Sequence, residues 1–280
     1  MILHAGAMIQ IASSGQRVLP VMPVLLAVGA LLVFAAGTQL YVSADTGRYF
    51  AWTIATPLTA AAIGAFYYAA VAVAGLSAWQ RRWDMARVGV PGILAFLWLT
   101  IGASLAHLAV FHLHAQQAVP RAAAIAWLVI YIADPPLLLL AYSLQLLGSD
   151  ADPPRRAPVP AWYRWSCAVL AGPVLVTGVA LYAFPGPVGG RWAWKLVPIA
   201  AQTTAAWLIA LALLLAAVAI EGDALRCRPA SVGLLALAVL QLAALARYPP
   251  AAYGAAARTW IALQVVIGFL GGYGLLRARQ

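Results

Sequence analysis

Asp134 has the clearest capacity for chemistry in this sequence, because it is an acidic side chain deep inside an apolar segment. It lies about 12 residues, or ~18 Å along a helix, from the outer end of that segment. Burying a carboxylate there costs several kcal/mol unless it is paired or protonated. We therefore expect Asp134, with Tyr131 one turn away, to contact a proton or a polar ligand. The alternative is a neutral Asp134 that is hydrogen-bonded inside the protein, at the turn that Pro135 and Pro136 must kink or open.

Six further ligand-binding candidates lie in or just after two tryptophan-rich stretches, at residues 48–54 and 191–199, each of which opens into an apolar run. If the two stretches lie together, their polar groups could line one outward-facing pocket. The alternative is that these groups only hydrogen-bond between helices, at about 0.6 kcal/mol each. The candidates are Trp52, Thr56, Thr59, Trp194, Gln202 and Thr203.

The histidines near position 107 form no recognisable metal or catalytic pattern. His107 and His114 would share a helical face, but about two turns or ~10 Å apart, which is too far to hold one metal. Ser104 precedes His107 by one turn, yet neither an orienting partner nor an oxyanion hole is evident. Lys195, the only lysine, falls at a segment boundary, where snorkelling beside aromatic residues explains it. We predict no catalytic residue, no cofactor and no metal.

The composition is that of a membrane protein. The chain has 280 residues, of which 65% are hydrophobic and 9% charged, far from the average for soluble domains. Its net charge of +10 could suggest a nucleic-acid partner, but this would require basic residues clustered on a soluble module. Most of the arginines instead lie just outside apolar runs, so we predict the lipid bilayer as a partner and no nucleic acid.

Counting apolar runs of about 20 residues, the length that crosses a bilayer as a helix, gives eight predicted spans. The sequence therefore predicts an all-α polytopic membrane protein. The longest polar joint, rich in proline and arginine, is the natural linker between two four-helix halves. The spans lie near 18–42, 56–79, 88–112, 122–147, 165–184, 196–220, 229–247 and 259–276.

The two halves also echo each other. Leu40-Tyr41 recurs as Leu181-Tyr182, and Arg87 recurs as Arg228, both at an offset of 141 residues. A fixed offset indicates internal duplication, although apolar chains use few residue types and can match by coincidence. Because four helices return the chain to its starting side, we expect two parallel repeats. The predicted halves are residues 1–148 and 162–280, joined by a cytoplasmic linker at 149–161.

Orientation follows from the basic residues, which favour the cytoplasmic side. Eleven arginines fall on one side of the predicted spans, and six basic residues fall on the other. We therefore predict a bacterial plasma-membrane protein with both termini cytoplasmic and both tryptophan stretches outside. The first span is longer than the ~7–15-residue core of a secretory signal, so we expect it to be retained. Cys167 and Cys227 would lie near the cytoplasm, where thiols stay reduced.

The stretch from Arg48 to Ile54, followed by Pro57-Leu58-Thr59-Ala60-Ala61, resembles uncharacterised multi-pass membrane proteins of high-GC bacteria such as actinobacteria. The resemblance could extend over the whole chain, because a second tryptophan motif and an arginine-rich cytoplasmic joint recur in that group. It implies a topology and no activity.

Three functional hypotheses follow. The first is non-catalytic binding or transport of a small molecule or lipid, through an outward-facing pocket between the repeats with Asp134 deeper inside. The second is an intramembrane enzyme acting on lipid or isoprenoid, with Asp134 and His107 as acid-base groups, which would require them to approach within hydrogen-bond reach. The third is a structural or assembly subunit of a membrane complex whose partners the sequence does not identify.

Overall fold

The computed structural model describes residues 15–148, 152–194, 196–250 and 254–280. In these ranges the chain is helical without named strands, and eight helices are long and apolar enough to cross a membrane. This confirms the predicted all-α polytopic architecture. The helices are α1 (Val21–Ser43), α2 (Pro57–Ala78), α3 (Trp83–Ala106), α4 (Ala118–Leu146), α5 (Ala161–Ala183), α6 (Pro198–Glu221), α7 (Arg228–Arg247) and α8 (Ala255–Arg277).

Local chemistry explains several helix boundaries. α2 and α6 begin with Pro57 and Pro198, whose missing N–H groups would have no helical partner at a first position. α6 ends at Glu221, and the following Gly222 adopts a left-handed conformation with φ +59° that glycine tolerates without steric cost. α1 closes with a π-helical turn, Thr38–Ser43.

The eight helices form an inner and an outer set. α2, α3, α6 and α7 are mostly buried, whereas α1, α4, α5 and α8 leave most of their surface exposed. The exposed outer surfaces carry large apolar side chains such as Leu31, Ile132 and Val176. Such surfaces are suited to contact with lipid, because apolar side chains do not need the hydrogen bonds that the bilayer core cannot provide.

The inner helices interlock across the two halves of the sequence. α2 packs against α1 and α7, while α6 packs against α5 and α3. Close approach needs small residues: a Cβ atom added at Gly92 in α3 would lie 2.8 Å from the carbonyl oxygen of Ala210 in α6. The outer helices α4 and α8 pack on α3 and α7 respectively. The two sequence halves therefore share one core.

The predicted 141-residue offset relates further features of the structure. Pro57 and Pro198 each begin an inner helix. Leu40 and Leu181 are both fully buried near the ends of α1 and α5. These are correspondences of position, and the duplication itself remains a prediction.

The bundle has two ends with different chemistry. At one, which we call the ionic end, the start of α1 meets the end of α4 and the joints after α2, α4 and α6 come together. With eight crossings, α8 also finishes at the ionic end, where Gly274 lies beside Tyr163 of α5. At the opposite, tryptophan end lie the two tryptophan-rich stretches.

Candidate ligand cavity

A large cavity lies within the membrane-spanning part of the bundle. It is lined by residues of α1, α2, α3, α4, α6 and α7 and has about 1140 Å³ of empty space, including its open mouth. Nearly all of its lining is apolar; the exceptions include a pair of tyrosines and one carboxyl group. The polar and aromatic side chains among the lining residues are Phe66, Tyr67, Phe96, Trp127, Tyr131, Asp134 and Trp207.

Helices α1 and α4 contribute partly exposed residues to the lining, among them Gly29, Leu32, Ile130 and Asp134. At the ionic end they are tied through Gln145, whose side-chain oxygen accepts from the backbone N–H of Leu19 at 2.7 Å and whose amide nitrogen donates to the carbonyl of Arg17 at 3.0 Å. Further along, Gly29 of α1 and Ile130 of α4 both line the cavity. The cavity lining therefore includes residues of both outer helices, which also carry exposed apolar side chains on other faces.

Tyr67 and Tyr131 form the polar centre of the cavity wall. Their hydroxyl oxygens lie 2.9 Å apart in one hydrogen bond between α2 and α4, and both side chains are buried. Asp134 lies one turn further along α4 and is partly exposed to the cavity. In the part of the chain that the structure describes, no hydrogen bond or ion pair involves its carboxyl group. The structure thus places Asp134 and Tyr131 together, as the sequence predicts.

The two prolines after Asp134 do not interrupt the helix. α4 runs continuously from Ala118 to Leu146 with Pro135 and Pro136 inside it, so of the two predicted alternatives, a kink or an opening of the helix, the structure excludes the opening. Pro136 is exposed on the outward face of α4, whereas Pro135 is buried. Proline has no N–H, so the carbonyl oxygens of Tyr131 and Ile132 receive no helical hydrogen bond from the residue four positions later. The middle of α4 is consequently rich in hydrogen-bond acceptors.

Aromatic rings cover the inner wall of the cavity. The Trp207 ring stacks on Phe96, with centroids 3.7 Å apart, and on Phe66 at 5.7 Å. Tyr67 meets Trp207 edge to face at 4.9 Å, and Trp127 lies 4.5 Å from Tyr131. These contacts join rings from α2, α3, α4 and α6 into one surface.

Trp52 and Ser104 support this wall from behind. Trp52 packs among Phe50, Phe111 and Trp127 at centroid distances of 4.7, 5.2 and 4.9 Å. The Ser104 hydroxyl accepts the indole N–H of Trp127 at 2.9 Å and donates to the carbonyl of Thr100. These contacts explain both residues as supports for Trp127.

The other predicted ligand-binding residues lie towards the tryptophan end and do not form one ring. Thr56 and Trp194 line an outer cleft together with Arg247 and Tyr248. Thr59 is buried on α2, and the Thr203 hydroxyl donates to the carbonyl of Ile199 in its own helix at 2.8 Å. The predicted set is thus divided between the deep cavity and sites nearer the outer surface.

Gln202 and the histidines make hydrogen bonds that hold the loops of the tryptophan end. His107 Nε2 lies 2.9 Å from Gln202 Oε1, and Gln202 Nε2 donates to the carbonyl of Tyr182. His112 contacts Thr53 Oγ1 at 2.9 Å and the carbonyl of Phe50 at 3.0 Å. Among the described residues, no group of three or more His, Cys, Asp or Glu side chains could hold a metal ion.

The prediction that His107 and His114 share a helical face is wrong. α3 ends at Ala106, and 3₁₀ turns follow at Leu108–Val110 and His112–His114. His107 and His114 therefore do not share a helical face, and distances along a helix do not apply to them. No hydrogen bond between described residues joins His107 to Asp134, so this structure contains no direct acid-base pair of the kind that the enzyme hypothesis invokes.

An ionic network with a buried centre lies at the ionic end, and it was not predicted from the sequence. Its centre is Arg226, which lies 3.4 Å from Asp84 and 3.3 Å from Glu221 and also donates to the carbonyl of Pro153. Arg87 bonds Glu221 at 2.5 Å and Asp152 at 2.6 Å. We define the network as Arg82, Asp84, Arg87, Asp152, Glu221 and Arg226. It links the α2–α3, α4–α5 and α6–α7 joints.

Two carboxyl groups outside the helices are held in the charged form. The guanidinium of Arg87 bonds Asp152 and lowers the pKa of that carboxyl group. Burial alone would raise the pKa of Asp223, but backbone N–H groups bond its carboxylate and the pKa is lowered overall. The donors are those of Arg156, Ala157, Leu225 and Arg226. The linker between α4 and α5 is thereby fixed to the α6–α7 joint.

Comparison with known proteins assigns no family. No protein-family model matches this chain, and no curated protein or solved structure matches it. The residues themselves establish an integral membrane protein with eight membrane-length helices, an apolar cavity that reaches Asp134, and an ionic network that closes one end of the bundle.

Proposed function

We propose that this protein binds an apolar, bilayer-soluble ligand in the cavity between α1 and α4. The observation that carries the proposal is the lining: six helices contribute side chains that are almost all apolar, with Asp134 and the tyrosine pair as polar groups. Small-molecule sites are typically lined by apolar and aromatic side chains with a few placed polar groups. The lining of this cavity has that composition.

The partly exposed lining residues of α1 and α4 support entry from the bilayer. α1 and α4 are outer helices, and both expose apolar side chains such as Val28 and Leu137 on their lipid-facing surfaces. A ligand that partitions into lipid can approach the cavity between them without crossing the polar ends of the bundle. This site is deeper than the outward-facing pocket expected from the sequence, and it draws most of its lining from the first half of the chain.

Glycine positions provide a direct test. A Cβ atom added at Gly29, inside the cavity lining, would meet no atom within 4 Å, and the same holds for the lipid-exposed Gly172 on α5. Gly29→Leu should therefore fill part of the cavity without forcing the backbone to move, whereas Gly172→Leu should leave the cavity unchanged.

The probe is hexadecanol carrying a photoreactive diazirine, incorporated at low mole fraction into lipid nanodiscs that contain the purified protein. We expect labelling of inner-wall residues such as Phe66 and Leu211. Gly29→Leu should reduce this labelling on the order of tenfold, the effect of about 1.4 kcal/mol, and Gly172→Leu should not. Labelling confined to the outward-facing surfaces of both variants and the wild type would contradict the proposal.

We further propose that the ionic end faces the cytoplasm of a bacterial cell, with both termini on that side of the plasma membrane. Eleven arginines against six basic residues support this orientation under the positive-inside rule. A cysteine introduced at the exposed Arg279 should react in intact cells only with a membrane-permeant maleimide. Reaction with an impermeant maleimide would reverse the orientation.

A further inference from the structure

We propose that the ligand of this cavity carries a positive charge, as an amphiphilic organic cation whose charged group lies against Asp134. This inference rests on the proposed function, because it names the class of ligand that the same cavity would take. Its basis is the chemistry of the middle of α4 and of the facing aromatic wall.

The groups around Asp134 are mainly acceptors. The carboxyl group has no hydrogen bond or ion pair to a described residue, and no lysine or arginine is among the cavity-lining residues. Pro135 and Pro136 remove the N–H groups that would bond the carbonyl oxygens of Tyr131 and Ile132. A carboxylate in this position costs several kcal/mol unless it acquires a partner, and a cationic ligand would provide one.

Two donors in the wall are already engaged. One hydroxyl proton of the Tyr67–Tyr131 pair is used in the bond between the two tyrosines, and the indole N–H of Trp127 is donated to Ser104. The indole N–H of Trp207 has no hydrogen-bond partner among the described residues, so the preference for a cation depends on the carboxyl group of Asp134 and on the aromatic rings.

The aromatic wall adds a second preference for a cation. A positive charge within about 6 Å of the centroid of a tryptophan, tyrosine or phenylalanine ring is attracted to the ring face, most strongly where water is excluded. Trp127, Tyr131 and Trp207 all line the same cavity as Asp134. The rival interpretation is a protonated Asp134 that donates a hydrogen bond to a neutral ligand.

Competition against the diazirine-hexadecanol probe separates these interpretations. The competitors share one hexadecyl chain and differ in the head group: hexadecyltrimethylammonium is cationic, unlabelled hexadecanol is neutral, and hexadecyl sulfate is anionic. In wild-type protein we expect the cation to displace the probe at about tenfold lower concentration than the other two, corresponding to one favourable contact of about 1.4 kcal/mol.

Asp134→Asn should abolish the advantage of the cation and leave probe labelling intact, while Asp134→Glu should retain the advantage. Asp45→Asn, at an exposed acid towards the tryptophan end, serves as the control and should behave as wild type. Equal displacement by all three competitors would overturn this inference and leave the proposed function standing. Absence of labelling from the cavity wall in wild-type protein would defeat both.

Discussion

The two halves of the molecule pack their last helices in different ways. α8 lies close against α7: a Cβ atom added at Gly271 would be 2.6 Å from the backbone nitrogen of Leu235 and 2.8 Å from the carbonyl oxygen of Ser231. On the inward face of α4 the corresponding region carries Trp127, Tyr131 and Asp134, and these residues line a cavity. α4 and α8 each pack on the inner helix that precedes them in the chain. α8 packs closely on its neighbour, whereas α4 lines a cavity.

This difference indicates how a bundle of membrane helices can maintain an internal cavity. Lipid gives little drive to bring helices together, so association depends on packing and on close backbone approach. Glycines on α8 permit that approach and leave no room at the α7–α8 contact. Large rings and a carboxyl group on α4 hold its backbone away from the inner helices. The contrast can be tested by altering each side in turn.

The largest loss of stability is expected at the ionic end, where the ionic network joins the two halves. Arg226→Ala would remove a buried side chain that pairs with both Asp84 at 3.4 Å and Glu221 at 3.3 Å, and would leave each carboxylate with one remaining arginine, Arg82 or Arg87. Removing one member of a buried ionic group costs about 3–5 kcal/mol, so the variant should unfold at much lower temperature in detergent. Arg279→Ala, at an exposed position, is the control. Similar melting temperatures for the two variants would show that the network contributes little.

Gly271→Leu should disrupt the close packing of α8 against α7 in the second half. The added side chain would meet the backbone of α7, which cannot move aside easily, and overpacking of this kind costs about 3 kcal/mol. Gly272→Leu is a matched control on the same helix, because a Cβ atom there meets nothing within 4 Å. Thermal unfolding followed by circular dichroism should separate the two variants. Equal stability would mean that α7 and α8 are not held by close approach.

Acidification should weaken the bonds that hold the linker between α4 and α5 to the rest of the bundle. Asp152 and Asp223 have lowered pKa values in the folded protein, so their stabilisation is present above the unfolded-state pKa of about 3.9 and is lost as the pH falls below it. The melting-temperature difference between wild type and Asp152→Asn should therefore shrink from pH 7 to pH 3. A difference that is constant over this range would argue against the ion pair with Arg87.

The smallest loss of stability is expected from the tyrosine pair in the cavity wall of the first half. Tyr67→Phe removes the hydroxyl that bonds Tyr131 and should cost about 1 kcal/mol while changing probe labelling in the cavity. Tyr182→Phe removes a comparable hydrogen bond, to the carbonyl of Leu99 at 2.8 Å, outside the cavity lining. It should cost similar stability and leave labelling unchanged, and an equal loss of labelling in both would show a general effect of packing.

The sequence predicted the helices well, because length and apolar composition determine a membrane span and proline marks its start, as at Pro57 and Pro198. It also placed Asp134 and Tyr131 in one site, since residues three apart share a helical face. It misplaced His114, because the end of α3 at Ala106 has no adjacent glycine or proline to signal it.

The cavity and the network were beyond prediction for a common reason. Arg87 and Glu221 are 134 residues apart in the chain, and the cavity needs side chains from six helices. Neither the ion pair nor the cavity can be recognised before the helices are arranged in space. The acids and arginines of the short joints, such as Asp84 beside Arg82, did provide a local signal that could have suggested ion pairs at one end.

Structure determination of the protein purified from its native membrane in lipid nanodiscs would test the central claim most directly. We predict elongated density that enters between α1 and α4, passes Gly29 and ends beside Asp134. An empty site in which α4 has closed onto α1, so that Ile130 touches Gly29, would contradict the existence of a ligand cavity.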